Sequence, residues 1–391
     1  MWSVPERNQP GKDRMPAAKR ILIMSGSAGA GHVRAAQALE AAFRENYHDV
    51  EVKNVDALEY TNALFRNTFK GTYNTLATRL PGVWGSVYKN IDRKRGRNRT
   101  KGLSAFVDRV NSRALLRLVE EFDPGAVVCT HYLATEITSW LRRKGRLQAP
   151  LEVVFTDYEI HAMWIQDGVD GYFVGTAEMA WALSARGAGK ARISVTGIPI
   201  MPAFSRAYPP KAEMRRKLGI RTEPPTILVS AGGFGMLPVD EAVNMLAGLV
   251  PDVQILAVAG KNEKLHRALD AAARAHSGKV VPHGFVTNMD ELMAASDLAV
   301  TKSGGLTSSE CLAMGLPMVV WNPIPGQEEA NADYLLENGA ALRANCPEYL
   351  AFKVKKLLTE PALLDEMGRA ARRISRPNAA ADIAKEVIAA M

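Results

Sequence analysis

Long apolar runs are absent from this 391-residue sequence. The nearest approach is the uncharged stretch 311–327, which two glycines and three prolines interrupt. A helix that crosses a bilayer needs about 20 consecutive apolar residues, so no segment is predicted to span a membrane. The first twenty residues are polar and rich in charge and proline, which excludes the apolar core of a signal peptide and predicts a disordered lead over residues 1–18.

Patterns that bind metals or form disulfides are also absent. The three cysteines, Cys129, Cys311 and Cys346, lie far apart and form no Cys-x-x-Cys pair, so neither a disulfide framework nor a zinc site is indicated, and a reducing compartment fits best. No Asp-x-Asp triplet occurs, so the sequence offers no obvious carboxylate pair for a magnesium ion between two phosphates. Neither a metal nor a cofactor is expected.

The sequence does contain an alternation of short apolar strands with helices, which predicts an α/β fold with parallel sheets in both halves. Two strands lead through glycine-rich loops into helices over His32–Asn46 and about Val239–Val250. A proline-rich boundary near 197–202 separates domains over 19–200 and 201–378, and the length suits two cores. The predicted strands are Lys19–Ser25, Val50–Val55, Ala126–Cys129, Glu152–Thr156, Gly171–Val174, Ile193–Thr196, Thr226–Ser230, Val253–Ala259, Lys279–His283, Leu298–Thr301 and Met318–Trp321.

The stretch 301–334 has the parts needed to hold a nucleotide sugar. Ser303, Gly304 and Gly305 form a loop without side-chain bulk, and a helix predicted from Leu306 to Met314 presents backbone N–H groups and its positive dipole end to an anion. One turn further, Glu310 is placed to accept hydrogen bonds from ribose hydroxyls. After the strand that ends at Trp321, a loop delivers Gln327 and Glu328, whose side chains suit sugar hydroxyls.

The N-terminal glycine loop contains Gly26, Gly29 and Gly31 but has neither the G-x-G-x-x-G spacing of a dinucleotide site nor a Walker A lysine. Such a loop can also be a tight turn between strand and helix. His32 follows it at the predicted helix start, where the helix dipole lowers the pKa of the ring and favours its neutral form. A neutral imidazole is what a general base requires, so His32 is the first candidate base.

Three segments in order resemble the family 28 glycosyltransferases with the GT-B fold, and most closely their diacylglycerol glycosyltransferases. They are SGSAGAGHVRAA from Ser25, FTDYEIHAMWIQDGVDGYFVGTAE from Phe155 and PGQEE from Pro325. The resemblance covers nearly the whole chain. It implies two Rossmann-like domains that face a cleft, and an inverting enzyme that moves a hexose from a UDP-sugar to diacylglycerol without a cofactor. It also implies that a last helix, 379–391, packs back on the N-terminal domain.

The resemblance also assigns roles to individual residues. Asp157 is a second catalytic candidate, as a base or as the group that orients one, although an aspartate there can simply cap a turn. On the acceptor side the resemblance implies Gly29, Gly31, His161 and Trp164, although a lone histidine is often structural. On the donor side the resemblance implies that uracil lies near Phe285 and Val286 and that backbone N–H groups hold the diphosphate. The predicted donor-binding residues are Gly232, Gly233, Phe285, Val286, Ser303, Gly304, Gly305, Leu306, Thr307, Glu310, Gln327 and Glu328.

The charge distribution suggests contact with a membrane surface. The net charge is +8, and a basic cluster follows an apolar, aromatic stretch that includes Trp84. Together these could lie on anionic lipid at the cytoplasmic face of the cell membrane. The alternative is a core-facing helix followed by a solvated loop, and nucleic-acid binding ranks last because no nucleic-acid module is recognisable. The predicted membrane contacts are Trp84, Arg93, Lys94, Arg95, Arg97 and Arg99.

Three other functions remain open at the level of sequence. The donor motif also fits transfer of N-acetylglucosamine to a polyprenyl-linked or lipid A-like acceptor. The same scaffold could bind lipid or nucleotide without catalysis, although a pure binder needs no base such as His32. A UDP-sugar epimerase shares the two-domain shape but has no use for a basic aromatic surface.

Overall fold

The computed structural model describes residues 19–27, 29–62, 66, 85–86, 90, 92, 113–232 and 238–391. Several predictions fall outside these residues: the disordered lead 1–18, the donor residue Gly233, and all six membrane contacts, from Trp84 to the basic cluster that ends at Arg99. The structure therefore does not test those predictions. No helix within the described ranges is long and apolar enough to cross a membrane.

The N-terminal half is a six-stranded parallel sheet with the strand order β2-β1-β3-β4-β5-β6. Its strands are β1 Lys19–Ser25, β2 Val50–Asp56, β3 Ala126–Cys129, β4 Leu151–Val154, β5 Gly171–Val174 and β6 Arg192–Val195. Among the residues that the structure describes, its helices are α1 Ala30–Asn46, α2 Arg113–Phe122, α3 Tyr132–Arg143 and α4 Ala177–Leu183. The inner strands β1, β3, β4 and β5 consist mostly of buried apolar residues, because helices cover both faces of a parallel sheet, whereas the edge strands β2 and β6 are partly exposed.

The C-terminal half is a second six-stranded parallel sheet, with the order β12-β11-β10-β7-β8-β9. Its strands are β7 Thr226–Ser230, β8 Gln254–Val258, β9 Val280–His283, β10 Leu298–Thr301, β11 Met318–Trp321 and β12 Ala341–Ala344. The helices are α5 Lys211–Lys217, α6 Val239–Leu249, α7 Glu263–Ala275, α8 Met289–Ala295, α9 Gly305–Met314, α10 Gln327–Glu337, α11 Pro347–Thr359, α12 Pro361–Ile374 and α13 Ala379–Ala390. Two parallel-sheet halves of this kind confirm the predicted fold class.

Eleven of the twelve strands that the structure describes were predicted; β12, Ala341–Ala344, was not, and the other differences lie at element ends. β1, β3, β5, β7, β10 and β11 have the predicted bounds. The first helix begins at Ala30 rather than His32, and α9 begins at Gly305 rather than Leu306. β4 ends at Val154 rather than Thr156, because the Thr156 side chain and carbonyl leave the sheet to contact a histidine and the other half of the chain.

The last helix, α13, leaves the second sheet and packs on the first. Ile383 and Val387 share one buried cluster with Ile21 of β1 and Leu39 of α1. The carboxylate of Glu386 accepts a hydrogen bond of 2.6 Å from the Ser194 hydroxyl. The chain therefore returns to the N-terminal half after it has completed the C-terminal one.

A small apolar cluster joins the two halves directly. It contains Ala35 of α1, Ile198 of the connecting segment and Leu306 of α9, with Tyr158 packed against it. Because α1 and α9 each follow a glycine loop, this cluster holds the two loops close together. The functional site is therefore to be sought at this boundary, beyond the carboxyl ends of the parallel strands.

Candidate functional site

Two helix N-termini meet at the boundary between the halves. α1 begins after Gly29 and α9 after Gly304, and no described side chain caps either helix with a hydrogen bond. A Cβ on Gly31 would lie 3.8 Å from Cδ1 of Leu306, so the two ends are in contact range. The first backbone N–H groups of a helix have no partner within the helix, and the dipole there attracts negative charge. The pair of loops thus suits an anionic ligand.

His32 lies in the first turn of α1, and its ring has a defined tautomer. Nδ1 is 3.0 Å from the Thr130 carbonyl oxygen and 2.8 Å from Oγ1 of Thr156. A carbonyl oxygen can only accept, so Nδ1 carries the proton and Nε2 has a free lone pair. Thr130 also donates its hydroxyl to the His32 carbonyl at 2.9 Å, which fixes the backbone beside the ring.

The His32 ring is neutral across the physiological range. Burial lowers its pKa to about 4, and the hydrogen bond to the Thr130 carbonyl opposes that shift. The direction agrees with the sequence prediction, and burial adds a cause that the sequence did not show. A base that is already unprotonated at neutral pH can accept a proton from a substrate hydroxyl.

Aromatic rings surround His32 and hold its orientation. The ring of His131 meets it edge-on at 4.6 Å between centroids, and Trp164 lies tilted at 5.9 Å. His131 is buried, and its Nδ1 accepts the Leu133 N–H at the start of α3. Gly26 is required beside it, because a Cβ there would lie 2.7 Å from the His131 ring.

Asp157 follows Thr156 but makes a different contact. Its Oδ1 accepts a hydrogen bond of 2.9 Å from the side-chain amide of Asn331 on α10. Burial raises the pKa of the Asp157 carboxyl to about 7, against the lowering effect of that hydrogen bond. The groups seen to orient the His32 ring are Thr130 and Thr156, and Asp157 as a base stays a prediction.

The other two acceptor-side candidates are largely buried. His161 is 1% exposed, and its Nδ1 accepts a hydrogen bond of 3.2 Å from the Met163 N–H at a short helical turn. That contact is a structural role, which the sequence left open for this histidine. Trp164 stacks at 5.0 Å on Phe155 within the core of the N-terminal half and presents one side towards His32.

The glycine loop before α9 combines an open part and a packed part. No heavy atom of the described residues lies within 4 Å of a Cβ built on Gly304, which leaves room for a ligand. A Cβ on Gly305, in contrast, would lie 2.0 Å from the Thr156 carbonyl oxygen, so this glycine allows the two halves to approach each other. Leu306 is buried in the joining cluster, Thr307 is half-buried, and Ser303 donates its hydroxyl to the Glu328 carbonyl at 2.5 Å.

Glu310 is half-buried on α9, one turn beyond the loop. Burial raises the pKa of its carboxyl to about 7, with the charge of Arg34 acting in the opposite direction. Hydroxyl groups that donate hydrogen bonds to a carboxylate favour its charged form. They would therefore shift a carboxyl group with a pKa close to 7 towards ionisation at neutral pH. That property suits the predicted contact with ribose.

Lys302 and Glu328 form a buried ion pair beside the loop. The Lys302 ammonium lies 2.5 Å from Oε1 of Glu328, while Oε2 accepts the Ile324 N–H at 3.0 Å. Gly232 has a φ of 67° and borders the same pair, since a Cβ there would lie 2.8 Å from Cε of Lys302. Both carboxylate oxygens of Glu328 thus have protein partners, whereas Gln327, the first residue of α10, is half-buried.

The loop that precedes α10 contacts the N-terminal half. A Cβ on Gly85 would lie 3.0 Å from Cβ of Pro325. Gly85, which follows the predicted membrane contact Trp84, therefore packs against the loop that leads to Gln327. Gly326 has φ 100° and ψ −120°, a conformation that essentially only glycine adopts. The position of Gln327 and Glu328 therefore depends on that residue.

The predicted base-binding residues follow β9. The side chain of Phe285 is 63% exposed, and the Lys261 ammonium lies 5.2 Å from its ring centroid. Val286 is half-buried against the core of the C-terminal half. An exposed aromatic ring at the carboxyl end of a strand can stack on a nucleobase.

Sequence reasoning missed several residues of this site. Thr130, Thr156 and His131 act through hydrogen bonds or ring contacts with His32 or its neighbours. Thr130 and His131 lie outside the quoted motifs, and Thr156 lies in the segment that begins at Phe155 but was not singled out. Asn331 had one available signal. It lies four residues after Gln327 and three after Glu328, on the same helix face, in a helix interior where asparagine is not favoured.

Comparison with known proteins gives consistent matches. Residues 32–200 match the family described as monogalactosyldiacylglycerol (MGDG) synthase, and residues 210–374 match the family described as glycosyl transferases group 1. The first match includes His32 and the loop around Asp157, and the second includes the glycine loop and α10. Together the two matches span both halves of the fold.

Individual relatives cover almost the whole chain. It is 29% identical over 382 residues to the processive diacylglycerol beta-glucosyltransferase of Bacillus subtilis, with 95% of each chain covered. It is 30% identical to the chloroplastic monogalactosyldiacylglycerol synthase of Spinacia oleracea, over 92% of this chain and 70% of the relative. Phytolacca americana UGT2, solved with UDP-2fluoro-glucose and pterostilbene, has a similar fold with a TM-score of 0.60 at 14% identity, over 95% of this chain and 99% of that one.

Proposed function

The chain belongs to the glycosyltransferase family that includes the monogalactosyldiacylglycerol synthases, and we propose that it transfers a hexose from a UDP-sugar to the hydroxyl of diacylglycerol, with inversion at the anomeric carbon. The observation that carries this proposal is the neutral His32 ring in the first turn of α1, a helix whose start lies within contact range of the uncapped start of α9. A binding protein without catalysis has no need of such a base.

The proposed reaction uses the His32 ring as the base and the start of α9 as the site for the diphosphate. Nε2 of His32 accepts the proton of the acceptor hydroxyl while that oxygen attacks the anomeric carbon. The bond between this carbon and the β-phosphate oxygen breaks on the opposite face, and UDP leaves with the electron pair. Backbone N–H groups in the first turn of α9, from Gly305 onwards, stabilise the charge that develops on the diphosphate.

Donor recognition is supported by residues around this loop. The Glu310 carboxylate is one turn from the loop, where ribose hydroxyls can donate to it, and the exposed Phe285 ring can stack on uracil. Gln327 heads α10 and is the polar side chain placed to contact the hexose hydroxyls. The pairing of Glu328 with Lys302 makes Gln327 the more available of the two predicted sugar contacts.

The proposed acceptor lies in an anionic membrane at its cytoplasmic face, where the protein is held peripherally. The names of the relatives from Bacillus subtilis and Spinacia oleracea both specify diacylglycerol glycolipid synthesis. In this chain, the side chain of Trp181 on α4 is 75% exposed. Five residues later, the Arg186 guanidinium donates to Oδ1 of Asp92 at 2.9 Å, directly before the predicted basic cluster. An exposed tryptophan suits the headgroup layer of a membrane.

A transfer assay on mixed anionic liposomes that contain diacylglycerol tests the proposal, with UDP-glucose, UDP-galactose and UDP-N-acetylglucosamine supplied separately. We expect glycosyl-diacylglycerol from the wild type, and a loss of at least about 100-fold in His32→Ala. His48→Ala is the matched control, because His48 is exposed on the loop after α1. Binding of UDP without product from any donor would overturn diacylglycerol as the acceptor, whereas product from UDP-N-acetylglucosamine alone would overturn hexose transfer.

A further inference from the structure

Asn331 joins the acceptor loop to the donor loop, and we propose that it is the positioning residue that fastens the two halves of the protein in the arrangement used for transfer. Its side chain projects from α10 and is fully buried. The inference rests on the proposed function for its consequence in catalysis, but its structural part, a fastened boundary, can be measured without any substrate.

The contacts on the acceptor side involve two consecutive residues of the N-terminal half. Oδ1 of Asn331 accepts a hydrogen bond of 2.7 Å from the Tyr158 backbone N–H. Nδ2 donates to Oδ1 of Asp157 at 2.9 Å. One side chain of the C-terminal half therefore holds both a backbone group and a candidate catalytic carboxyl of the other half.

The contact on the donor side is with the glycine loop. The same Nδ2 donates to the Ser303 carbonyl oxygen at 2.9 Å. Ser303 stands directly before Gly304 and Gly305, where α9 begins and where Gly305 lies against the Thr156 carbonyl. The amide thus connects the loop proposed to hold the diphosphate with the loop that follows β4.

Only an amide of this size satisfies all three partners. Nδ2 has two protons, and they serve two acceptors, Asp157 and Ser303, while Oδ1 serves a donor, Tyr158. Aspartate would have no proton for either acceptor unless it were protonated, and leucine would have neither group. A buried polar group that loses its partner costs about 1–3 kcal/mol. Removal of the amide breaks two hydrogen bonds across the boundary and one to the glycine loop within the C-terminal half.

Neighbouring contacts show which groups the hydrogen bonds of Asn331 hold in place. The Tyr158 ring lies between the halves, with its hydroxyl 2.8 Å from Oγ of Ser309 and its face stacked at 4.3 Å on Tyr334. Thr156, two residues earlier, touches the His32 ring with its hydroxyl. A shift of this loop therefore moves the groups that orient the base, and a misplacement of about 1 Å can lower a rate by about 100-fold.

The experiment compares wild type with Asn331→Ala and the milder Asn331→Ser. Asn338→Ala is the matched control, because Asn338 ends the same helix and donates its amide to the Tyr334 carbonyl within that helix. Small-angle X-ray scattering of the proteins without substrate measures the separation of the halves. Steady-state transfer on diacylglycerol liposomes gives kcat and the donor KM, and calorimetry gives the dissociation constant for UDP.

We expect a larger radius of gyration in both Asn331 variants than in wild type and Asn338→Ala. We expect kcat to fall by about 30- to 100-fold, with UDP affinity within about threefold of wild type.

Two results would overturn the inference. One is scattering and kcat equal to wild type in both variants. The other is an unchanged kcat with a raised donor KM, which would make Asn331 a ligand of the sugar rather than a fastener. If wild type transfers no sugar to any lipid, the proposed function fails, and the scattering comparison still decides whether the amide fastens the halves.

Discussion

The Nδ1–H of His32 points at the carbonyl oxygen of Thr130, 3.0 Å away, so the ring turns its unprotonated Nε2 to the remaining side. The Thr130 hydroxyl returns a hydrogen bond of 2.9 Å to the His32 carbonyl. This reciprocal pair ties the end of β3 to the first turn of α1. The hydrogen bond between His32 on α1 and Thr130, directly after β3, therefore sets the tautomer that a general base needs.

Replacement of Thr156 by valine should lower kcat while it preserves the fold. Valine has the same shape but lacks the hydroxyl that lies 2.8 Å from Nδ1 of His32. We expect a fall of about 10-fold in kcat, because the ring keeps its bond to Thr130 but loses part of its orientation. Liposome transfer kinetics check this, with Thr359→Val as control, since Thr359 is exposed at the end of α11. Equal losses in both variants would exclude a specific role for the hydroxyl.

The affinity for UDP should increase with pH through the titration of Glu310. The pKa of this carboxyl is raised to about 7, so the fraction ionised in the free protein grows between pH 6 and pH 8. Only the ionised form accepts hydrogen bonds from both ribose hydroxyls, which predicts up to about 10-fold tighter binding at pH 8 than at pH 6. Calorimetry at both pH values measures this.

Glu310→Gln should remove the pH dependence of UDP binding and weaken binding at pH 8. Glu366→Gln is the control, because Glu366 is exposed on α12. The same pH dependence in Glu310→Gln as in wild type would show that another group titrates.

Replacement of Asp157 by asparagine should stabilise the protein at pH 8 and abolish most activity. Burial raises the folded pKa of the carboxyl from 3.8 to about 7, so between these values the folded state holds more protons than the unfolded state. Stability is therefore lost as the pH rises from about 4 to about 7. Asparagine carries no charge and still accepts the Asn331 hydrogen bond through its carbonyl oxygen.

The stabilisation in Asp157→Asn should exceed about 1 kcal/mol at pH 8 and largely vanish at pH 4. Thermal unfolding at both pH values gives the comparison, and Asp365→Asn on the exposed face of α12 is the control. A variant that is destabilised equally at both pH values would contradict a buried charge at this position.

Trp181→Ala should weaken binding to anionic liposomes by about 10-fold without a change in melting temperature. The side chain is 75% exposed, so its removal costs little packing in the folded protein, while the indole is suited to the headgroup layer. Liposome sedimentation measures the affinity. Phe352→Ala is the control, since Phe352 is 66% exposed on α11 in the other half. Wild-type binding by Trp181→Ala would exclude this helix from the membrane contact.

The sequence alone predicted the fold class, the two glycine loops and eleven of the twelve described strands, and it missed β12. Six strands, β1, β3, β5, β7, β10 and β11, have the bounds that their apolar runs predicted, because strands covered on both faces need continuous burial between polar loops. The motifs around His32 and Gln327 indicated the family because each is a short continuous segment, so its residues can be recognised without knowledge of the fold.

Tertiary structure decided how the site is held. The residues that orient His32 are Thr130 and Thr156, which are 98 and 124 positions away along the chain, and Asn331 is 174 positions from Asp157. The charge state also depends on tertiary structure, since burial lowers the pKa of His32. Periodicity and motif spacing report contacts within one element, whereas hydrogen-bond partners and desolvation arise only when distant segments pack together.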